Sequence, residues 1–254
     1  MTASLRDQLQ AALGTAFTID RELSGGGMSR VYVVRDTRLD RDIVVKMLSP
    51  ELAAGISAER FTREIKLAAA LQHPHIAPVL SDGVTADGLP FYSMPLVEGE
   101  SLRARMDVGR VSTEDAMSIL RDVAKALAYA HGRGIVHRDI KPENILLSSG
   151  TAVVTDFGIA KALQLSRTAT SGGPVRDGLT GTGMSLGTPG YMAPEQAAGD
   201  PATDHHADIY AWGVVAYELL AGQHPFASRK TPREMLTAHL SEMPTALSVT
   251  NGRV

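Results

Sequence analysis

The chain has 254 residues, 44% of them hydrophobic and 21% charged, so it is globular and long enough to bury a large core as one big domain or two lobes. A net charge of -3 gives no electrostatic reason to expect a nucleic-acid partner. The absence of cysteine excludes disulfides, thiolate metal sites and cysteine nucleophiles, and it fits a reducing, cytoplasmic setting.

Met1 to Leu13 alternates polar and apolar residues, unlike a secretory signal. Ser4 to Leu13 reads instead as a short amphipathic helix, with Ser4 as N-cap, Leu5, Leu9 and Leu13 on one face, and Gly14 as the stop. Strand patterns follow at Phe17 to Ile19, Val31 to Val34 and Ile43 to Met47, separated by glycine-rich or charged turns. A helix is predicted over Ala58 to Leu71, begun by Ser57 and closed before His73-Pro74. Two more strands are expected at Ala77 to Leu80 and Phe91 to Met94, around the turn Ala86-Asp87-Gly88. The sum is a five-stranded antiparallel sheet with one helix, ending near Val97.

Beyond Gly99 the pattern is mainly helical. Ser112 caps a long helix whose apolar positions are read as Met117, Leu120, Ala124, Leu127 and Ala130, with Gly132 just past its end. Ile145 to Leu147 and Ala152 to Val154 read as a hairpin around a four-residue turn, Ser148 to Thr151. A stretch rich in glycine, serine and threonine runs from Gln164 to Gly190. The longest apolar run lies within Ile209 to Ala221, is too short to span a bilayer and carries Glu218, so it is read as a helix buried at the centre of a domain. No membrane segment is expected within this chain, although a longer parent chain could carry an anchor.

Several polar groups fall where such a fold would concentrate them. The hairpin sets Asn144 across from Thr155 and puts Asp156 beside Asn144, so an amide oxygen and a carboxylate oxygen meet in a way that suits a hard cation such as Mg²⁺. Asp139, five residues earlier than Asn144, stands on the loop leading in and is placed to accept a proton from a hydroxyl. Leu23 to Tyr32 is a glycine-rich joint between two strands, either an ordinary turn or a lid whose N–H groups approach phosphate. In the strand Ile43 to Met47, alternation puts Val44 and Lys46 on one face, where the ammonium needs an anion. Glu64 falls on the helix stripe of Phe61, Ile65 and Ala68; it is either that partner or a solvated charge.

The run His137-Arg138-Asp139-Ile140-Lys141-Pro142-Glu143-Asn144, followed by Asp156-Phe157-Gly158, resembles the catalytic loop and metal-binding triplet of protein kinases. Ala193-Pro194-Glu195 resembles the end of that family's activation segment. Lys141 and Thr188 resemble serine/threonine rather than tyrosine kinases. The Gly-Gly-Met-Ser phrase and Tyr191 to Gln196 resemble the bacterial, eukaryotic-like members, and the resemblance spans about Phe17 to Leu240.

That resemblance implies an α+β, bilobal fold: an N-terminal helix over 1–14, a small β-rich lobe over 15–97 and a larger, mainly helical lobe over 98–254. It implies transfer of the γ-phosphate of ATP to serine or threonine of protein substrates. Asp139 would orient and deprotonate the hydroxyl, Lys141 neutralise the transferred phosphate, and Asn144 with Asp156 hold Mg²⁺, or Mn²⁺ in its place. Lys46, oriented by Glu64, would hold the α- and β-phosphates. The loop keeps Gly26 in the middle but has Ser24 and Ser29 where the family has glycine. Backbone groups of Pro95 and Val97 would meet the adenine edge, with Val31, Val44 and Leu146 on the purine faces. Asp208 would brace the catalytic loop, the alternative being a plain charge at a helix N-terminus. Thr180 and Thr182 resemble autophosphorylation sites in spacing, with Arg138 to pair the phosphate and a kinase–kinase dimer to place it. No convincing arginine partner for Glu195 occurs before Val254, which implies an incomplete C-lobe lacking its last helices and reduced stability. A catalytically impaired pseudokinase and a small-molecule kinase are the other readings.

Overall fold

The computed structural model describes residues 4–26, 29–53, 58–157 and 189–250. The predicted cap Ser57, the third glycine of the loop, Gly27, and the whole of 158–188, with Gly158, Thr180, Thr182 and Thr188, lie outside them. Two units are distinguished: one runs to Gln72 and resumes over Ala77–Val97, and the other takes His73–Ile76 and the described residues from Glu98 onward.

In the first unit, helix α1 (Leu5–Leu13) begins where Ser4 and Asp7 cap each other and ends at Gly14, whose φ of 73° suits a residue without Cβ. The strands β1 (Phe17–Gly26), β2 (Ser29–Asp36) and β3 (Arg41–Leu48) follow in antiparallel succession. A single helical turn α2 (Pro50–Ala53) and helix α3 (Ala58–Ala69) come next, and then β4 (Ser81–Val84) and β5 (Pro90–Pro95) complete a sheet of order β1-β2-β3-β5-β4. The sheet has the five antiparallel strands that the periodicity predicts. One face carries Ile19, Tyr32, Val34, Ile43, Val45, Met47 and Phe91, packed with Leu9 of α1. Phe61 and Ile65 of α3 are also fully buried, and the Phe61 ring lies 6.5 Å from that of Tyr92 on β5.

Gln10 clasps α1 to the sheet: its amide nitrogen donates to the Phe17 carbonyl at 2.8 Å, and its oxygen accepts from Ile19 N–H at 3.0 Å. The side chain thus acts as one residue of an extra strand beside β1. Gln10→Leu keeps the length but leaves one donor and one acceptor without a partner, so unfolding free energy should drop by about 1–3 kcal/mol. Urea titration of the two proteins checks this, and equal midpoints would contradict it.

Ala77 to Leu80, expected as a strand, is irregular; the ladder begins at Ser81 instead. Pro78 lacks the N–H that a paired strand needs, and the polar segment Ser81–Val84 becomes a strand through pairing with β5.

The second unit opens with β6 (Glu100–Ser101), α4 (Leu102–Val108) and α5 (Thr113–His131), the last capped by Ser112 as predicted. Its buried stripe is Ala116, Ile119, Leu120, Val123, Ala126, Leu127 and Ala130. Met117 and Ala124, expected on that stripe, are exposed: Ile119 and Val123 share the face of Leu120 and Leu127 and move its centre away from them. The strands β7 (Ile145–Ser148) and β8 (Thr151–Val154) pair through Ser148 and Thr151, which leaves a turn of two residues rather than four. Ser149 and Gly150 both have positive φ, 50° and 78°, as in the mirror-image turns whose twist matches the strands. β6 lies against β7, and a Cβ on Gly99 just before it would stand 1.9 Å from the Leu147 carbonyl oxygen, so only glycine fits there.

Helices α6 (Pro194–Ala197), α7 (His206–Ala221), α8 (Pro232–Ser241) and α9 (Leu247–Thr250) complete the described part of this unit. α7 is the apolar helix foreseen, and it stops at Gly222 with φ 75°. Thr231 and Glu234 spell a capping box ahead of α8, a local signal for a helix that the periodicity alone does not mark. Among the described residues no helix is long and apolar enough to cross a membrane.

Candidate active site

The hairpin positions the first group of polar residues. Beyond the last ladder pair, Thr155 N–H donates to the Asn144 carbonyl at 2.9 Å, so the predicted opposition of these residues holds and Asp156 is the next residue along. Asn144, buried in the one-turn 3₁₀ segment Pro142–Asn144, donates its amide nitrogen to the Asp139 carbonyl at 2.8 Å and to Asp139 Oδ2 at 3.1 Å. Lys141 Nζ stands 2.7 Å from the same carboxylate oxygen. Three of the residues singled out in the sequence, Asp139, Lys141 and Asn144, therefore converge on one carboxylate.

His137 anchors the start of this loop. It is fully buried, its Nδ1 accepts from Asp139 N–H at 3.2 Å, and its Nε2 therefore donates to the Thr155 carbonyl at 2.7 Å. The ring of Phe157 meets it edge-on at 4.6 Å. Asp208, with no exposed surface, then clamps the backbone: its Oδ2 accepts from His137 N–H at 2.8 Å and Oδ1 from Arg138 N–H at 2.6 Å. His131 Nε2, at the end of α5, lies 2.7 Å from the same Oδ2. Of the two readings of Asp208, the brace is the one observed.

Arg138 and Asp156 have φ of 70° and 67°, a backbone state that side chains with a Cβ adopt only when their surroundings enforce it. For Arg138 the enforcement is visible. Its N–H is held by Asp208, its carbonyl accepts from Gln196 Nε2 at 2.9 Å, and its guanidinium donates to the Thr203 carbonyl at 3.0 Å. His131, Gln196 and Thr203 are absent from the sequence-derived set because their roles arise only from distant backbone contacts.

A second, partly buried polar cluster was also invisible in the sequence. Arg103 of α4 donates to Glu218 of α7 at 3.0 Å, to Glu143 at 3.1 Å and to the hydroxyl of Tyr191, which in turn donates to Glu218. Burial and the Glu218 carboxylate hold the Tyr191 phenol well above its ordinary pKa. The cluster fixes Tyr191, in the 3₁₀ turn Pro189–Tyr191, relative to the loop residue Glu143.

Beside that turn, His224 Nε2 donates to the Gly190 carbonyl at 2.6 Å, while its Nδ1 accepts from Phe226 N–H. His239, 4% exposed, shares a hydrogen bond of 2.7 Å with the Tyr210 hydroxyl, and among the described residues no hydrogen-bond partner meets its Nε2. Burial, reinforced by His224, pushes His239 down to about 4. The unfolded chain therefore takes up a proton below about pH 6.5 that the folded one refuses. Stability is complete above that pH and is lost as pH falls toward 4, by about 2 kcal/mol between pH 7.5 and 5. His239→Gln cannot titrate, so its urea midpoint should fall less over this interval; equal losses in both proteins would contradict the assignment.

In the first unit, Lys46 is paired across the ladder with Val31 and Tyr92, and it shares its face of β3 with Val44 as alternation predicts. Glu64 is buried on the α3 stripe with Phe61, Ile65 and Ala68. Pro95 ends β5 opposite Ile43, and Val97, like Val31, is half-buried. Ser24 and Gly26 are backbone partners of Val31 and Ser29. Leu146, in the second unit, is half-buried on β7.

The family model described as the protein kinase domain matches residues 17–251. The serine/threonine-protein kinase PknB of Mycobacterium leprae is 40% identical over 228 residues, which is 87% of this chain and 35% of that protein. PknB of Mycobacterium tuberculosis is 40% identical over 238 residues, 91% of this chain and 36% of its own length. The chain thus spans about a third of the curated relatives it matches. Among solved structures, the PknI kinase domain of Mycobacterium tuberculosis is similar with a TM-score of 0.68 at 30% identity, covering 94% of this chain and 83% of that one. With a five-stranded sheet before a helical unit, an aspartate held by Lys141 and Asn144 on a loop whose preceding backbone N–H groups are braced by Asp208, and a family match over nearly its whole length, the chain belongs to the protein kinase domain family.

Proposed function

We propose that this domain transfers the γ-phosphate of ATP to serine or threonine hydroxyls of protein substrates. The observation that carries this reading is the Asp139 carboxylate, 2.7 Å from Lys141 Nζ and 3.1 Å from Asn144 Nδ2, on a backbone tied down by Asp208. Phosphoryl transfer asks the protein mainly for alignment and for neutralisation of charge on oxygens. Asp139 accepts the proton of the attacking hydroxyl as its oxygen bonds to the γ-phosphorus and the bond to ADP breaks. Lys141, already beside that carboxylate, compensates charge on the phosphoryl group in flight. Lys46, oriented by Glu64, holds the α- and β-phosphates, while the backbone of Ser24 to Gly26 approaches them without bulky side chains.

The donor set fits a divalent cation. Asn144 directs its amide nitrogen at Asp139, which leaves Oδ1 as the atom it offers a metal, and Asp156 supplies a carboxylate one residue past the Asn144–Thr155 pair. An all-oxygen set of this kind suits Mg²⁺, with Mn²⁺ as the substitute. The ion's contribution there is to neutralise the phosphate oxygens. Backbone groups of Pro95 and Val97 serve the adenine edge, and Val31, Val44 and Leu146 its faces. A domain that consumes ATP works in the cytoplasm, which a cysteine-free sequence suits.

Thr180 and Thr182 are the proposed autophosphorylation sites, modified by a second copy of the kinase, with Arg138 as the partner of the phosphate. Incubation with Mg²⁺-ATP and a generic protein substrate should yield phosphoserine or phosphothreonine on that substrate, and mass spectrometry should find phosphate at Thr180 or Thr182. Substrate that stays unlabelled argues against the transferase reading. Labelled substrate with phosphate only at other positions of the kinase removes the autophosphorylation sites alone.

A further inference from the structure

Asp204, His205 and His206 lie at the entry to α7 and take no part in the chemistry assigned above. They are exposed, yet they are not randomly disposed. Asp204 Oδ1 accepts from His206 N–H at 2.9 Å and from His206 Nδ1 at 2.8 Å, and His205 Nδ1 lies 3.8 Å from Asp204 Oδ2. One ligand atom from each residue falls within 4.8 Å of the others. The rings are packed as well: His205 lies 4.3 Å from His206 on one side and 5.3 Å from His131 on the other.

We propose that these three side chains form a surface site for a late first-row divalent transition ion: Zn²⁺, Ni²⁺ or Cu²⁺. Two imidazole nitrogens and one carboxylate oxygen are the donors such ions select. Tetrahedral Zn²⁺ with bonds of about 2.1 Å wants its ligand atoms roughly 3.4 Å apart, a spacing reached by small side-chain rotations from a set in which His206 lies 2.8 Å from Asp204 Oδ1, His205 3.8 Å from Asp204 Oδ2, and all three residues offer ligand atoms within 4.8 Å of one another. The ion takes the place of the proton now shared by His206 Nδ1 and Asp204, and the neutral ring carries its proton on Nε2 instead. Mg²⁺ and Ca²⁺ demand oxygen donors and do not compete. The partial positive charge of about half a unit at the helix N-terminus opposes the cation, but the full charge of Asp204 is nearer and outweighs it. The His205 ring of the site meets His131 directly, at 5.3 Å and tilted by 58°, and His131 in turn bonds the brace at Asp208.

Isothermal titration of the whole chain with ZnCl₂ at pH 7.5, in the presence of Mg²⁺, tests the proposal. One equivalent should bind, with Cu²⁺ tighter and Ca²⁺ silent. His206→Ala and Asp204→Asn should each weaken Zn²⁺ binding by about 10- to 100-fold or more, since a ligand matters at least as much as the groups supporting it. Asp156→Asn should leave this binding untouched, which separates it from the nucleotide metal. Equal isotherms for wild type, His206→Ala and Asp204→Asn overturn the proposal, because the ion is then held elsewhere, and so does the lack of any stoichiometric binding below millimolar Zn²⁺. Should His206→Ala melt at the titration temperature, His206→Gln serves in its place.

Discussion

Asp139→Asn should lower the rate of phosphate transfer to a protein substrate by about 10²–10⁴-fold, the usual cost of losing a positioned base. The substitution keeps the side chain's size and leaves one oxygen to accept from Asn144 or Lys141, which now share Asp139 Oδ2 at 3.1 and 2.7 Å. The loop backbone is held independently, by Asp208 and by the His137 bond to Thr155, so the variant should fold with the same melting behaviour. Binding of ATP, assigned to other residues, should change little. The loss should then appear in kcat rather than in the KM for ATP, the signature of an interaction made in the transition state alone. Radiolabelled ATP measured against a fixed protein substrate reads both quantities. Equal kcat values for the two proteins would remove Asp139 from the mechanism, and an equal fall in ATP affinity would reassign it to nucleotide binding.

How much of this site was legible beforehand depends on the range of the interactions involved. The opposition of Asn144 and Thr155 follows from a hairpin whose strands span ten residues, so local pattern suffices, and a two-residue turn leaves the same residues opposite one another as a four-residue one. Capping at Ser4 and Ser112 was equally local. Ala77 to Leu80 carries the apolar residues of a strand but also Pro78, which cannot donate to a ladder, whereas the polar β4 exists only through its partner β5. Arg103, Glu143, Tyr191 and Glu218 sit far apart in sequence, and each alone reads as an ordinary surface or helix residue; only the folded chain brings them into one cluster, with Tyr191 and Glu218 buried and Glu143 at its exposed rim. Asp208 is intermediate: its position at the start of an apolar helix marked it, but the three donors it satisfies come from residues 131, 137 and 138.

That arrangement makes Asp208 the residue whose loss should cost most in stability. In Asp208→Asn one carboxylate oxygen becomes an NH₂ group, and two or three buried donors then compete for a single acceptor. Leaving buried N–H groups without acceptors costs about 1–3 kcal/mol each, more where the lost bond was to a charge, so a destabilisation of about 3–5 kcal/mol is expected. For a domain of this size each kcal/mol lowers the melting temperature by about 2–4 °C, so a fall of at least about 6 °C should be seen. The loop should suffer separately. Arg138 is kept at a φ of 70° partly by its bond to Asp208, and a conformation of that kind costs about 1–3 kcal/mol to maintain. Once the clamp is gone Arg138 relaxes and Asp139 moves with it, so kcat should fall well below the fraction of protein still folded at the assay temperature. His131→Gln provides the graded comparison, since it removes the His131 imidazole but leaves both backbone bonds to Asp208 in place; it should melt closer to wild type and keep more of its kcat. Melting of Asp208→Asn within about 1 °C of wild type would mean that the carboxylate does not carry the loop. A large melting shift with kcat undiminished per folded molecule would confine its role to stability.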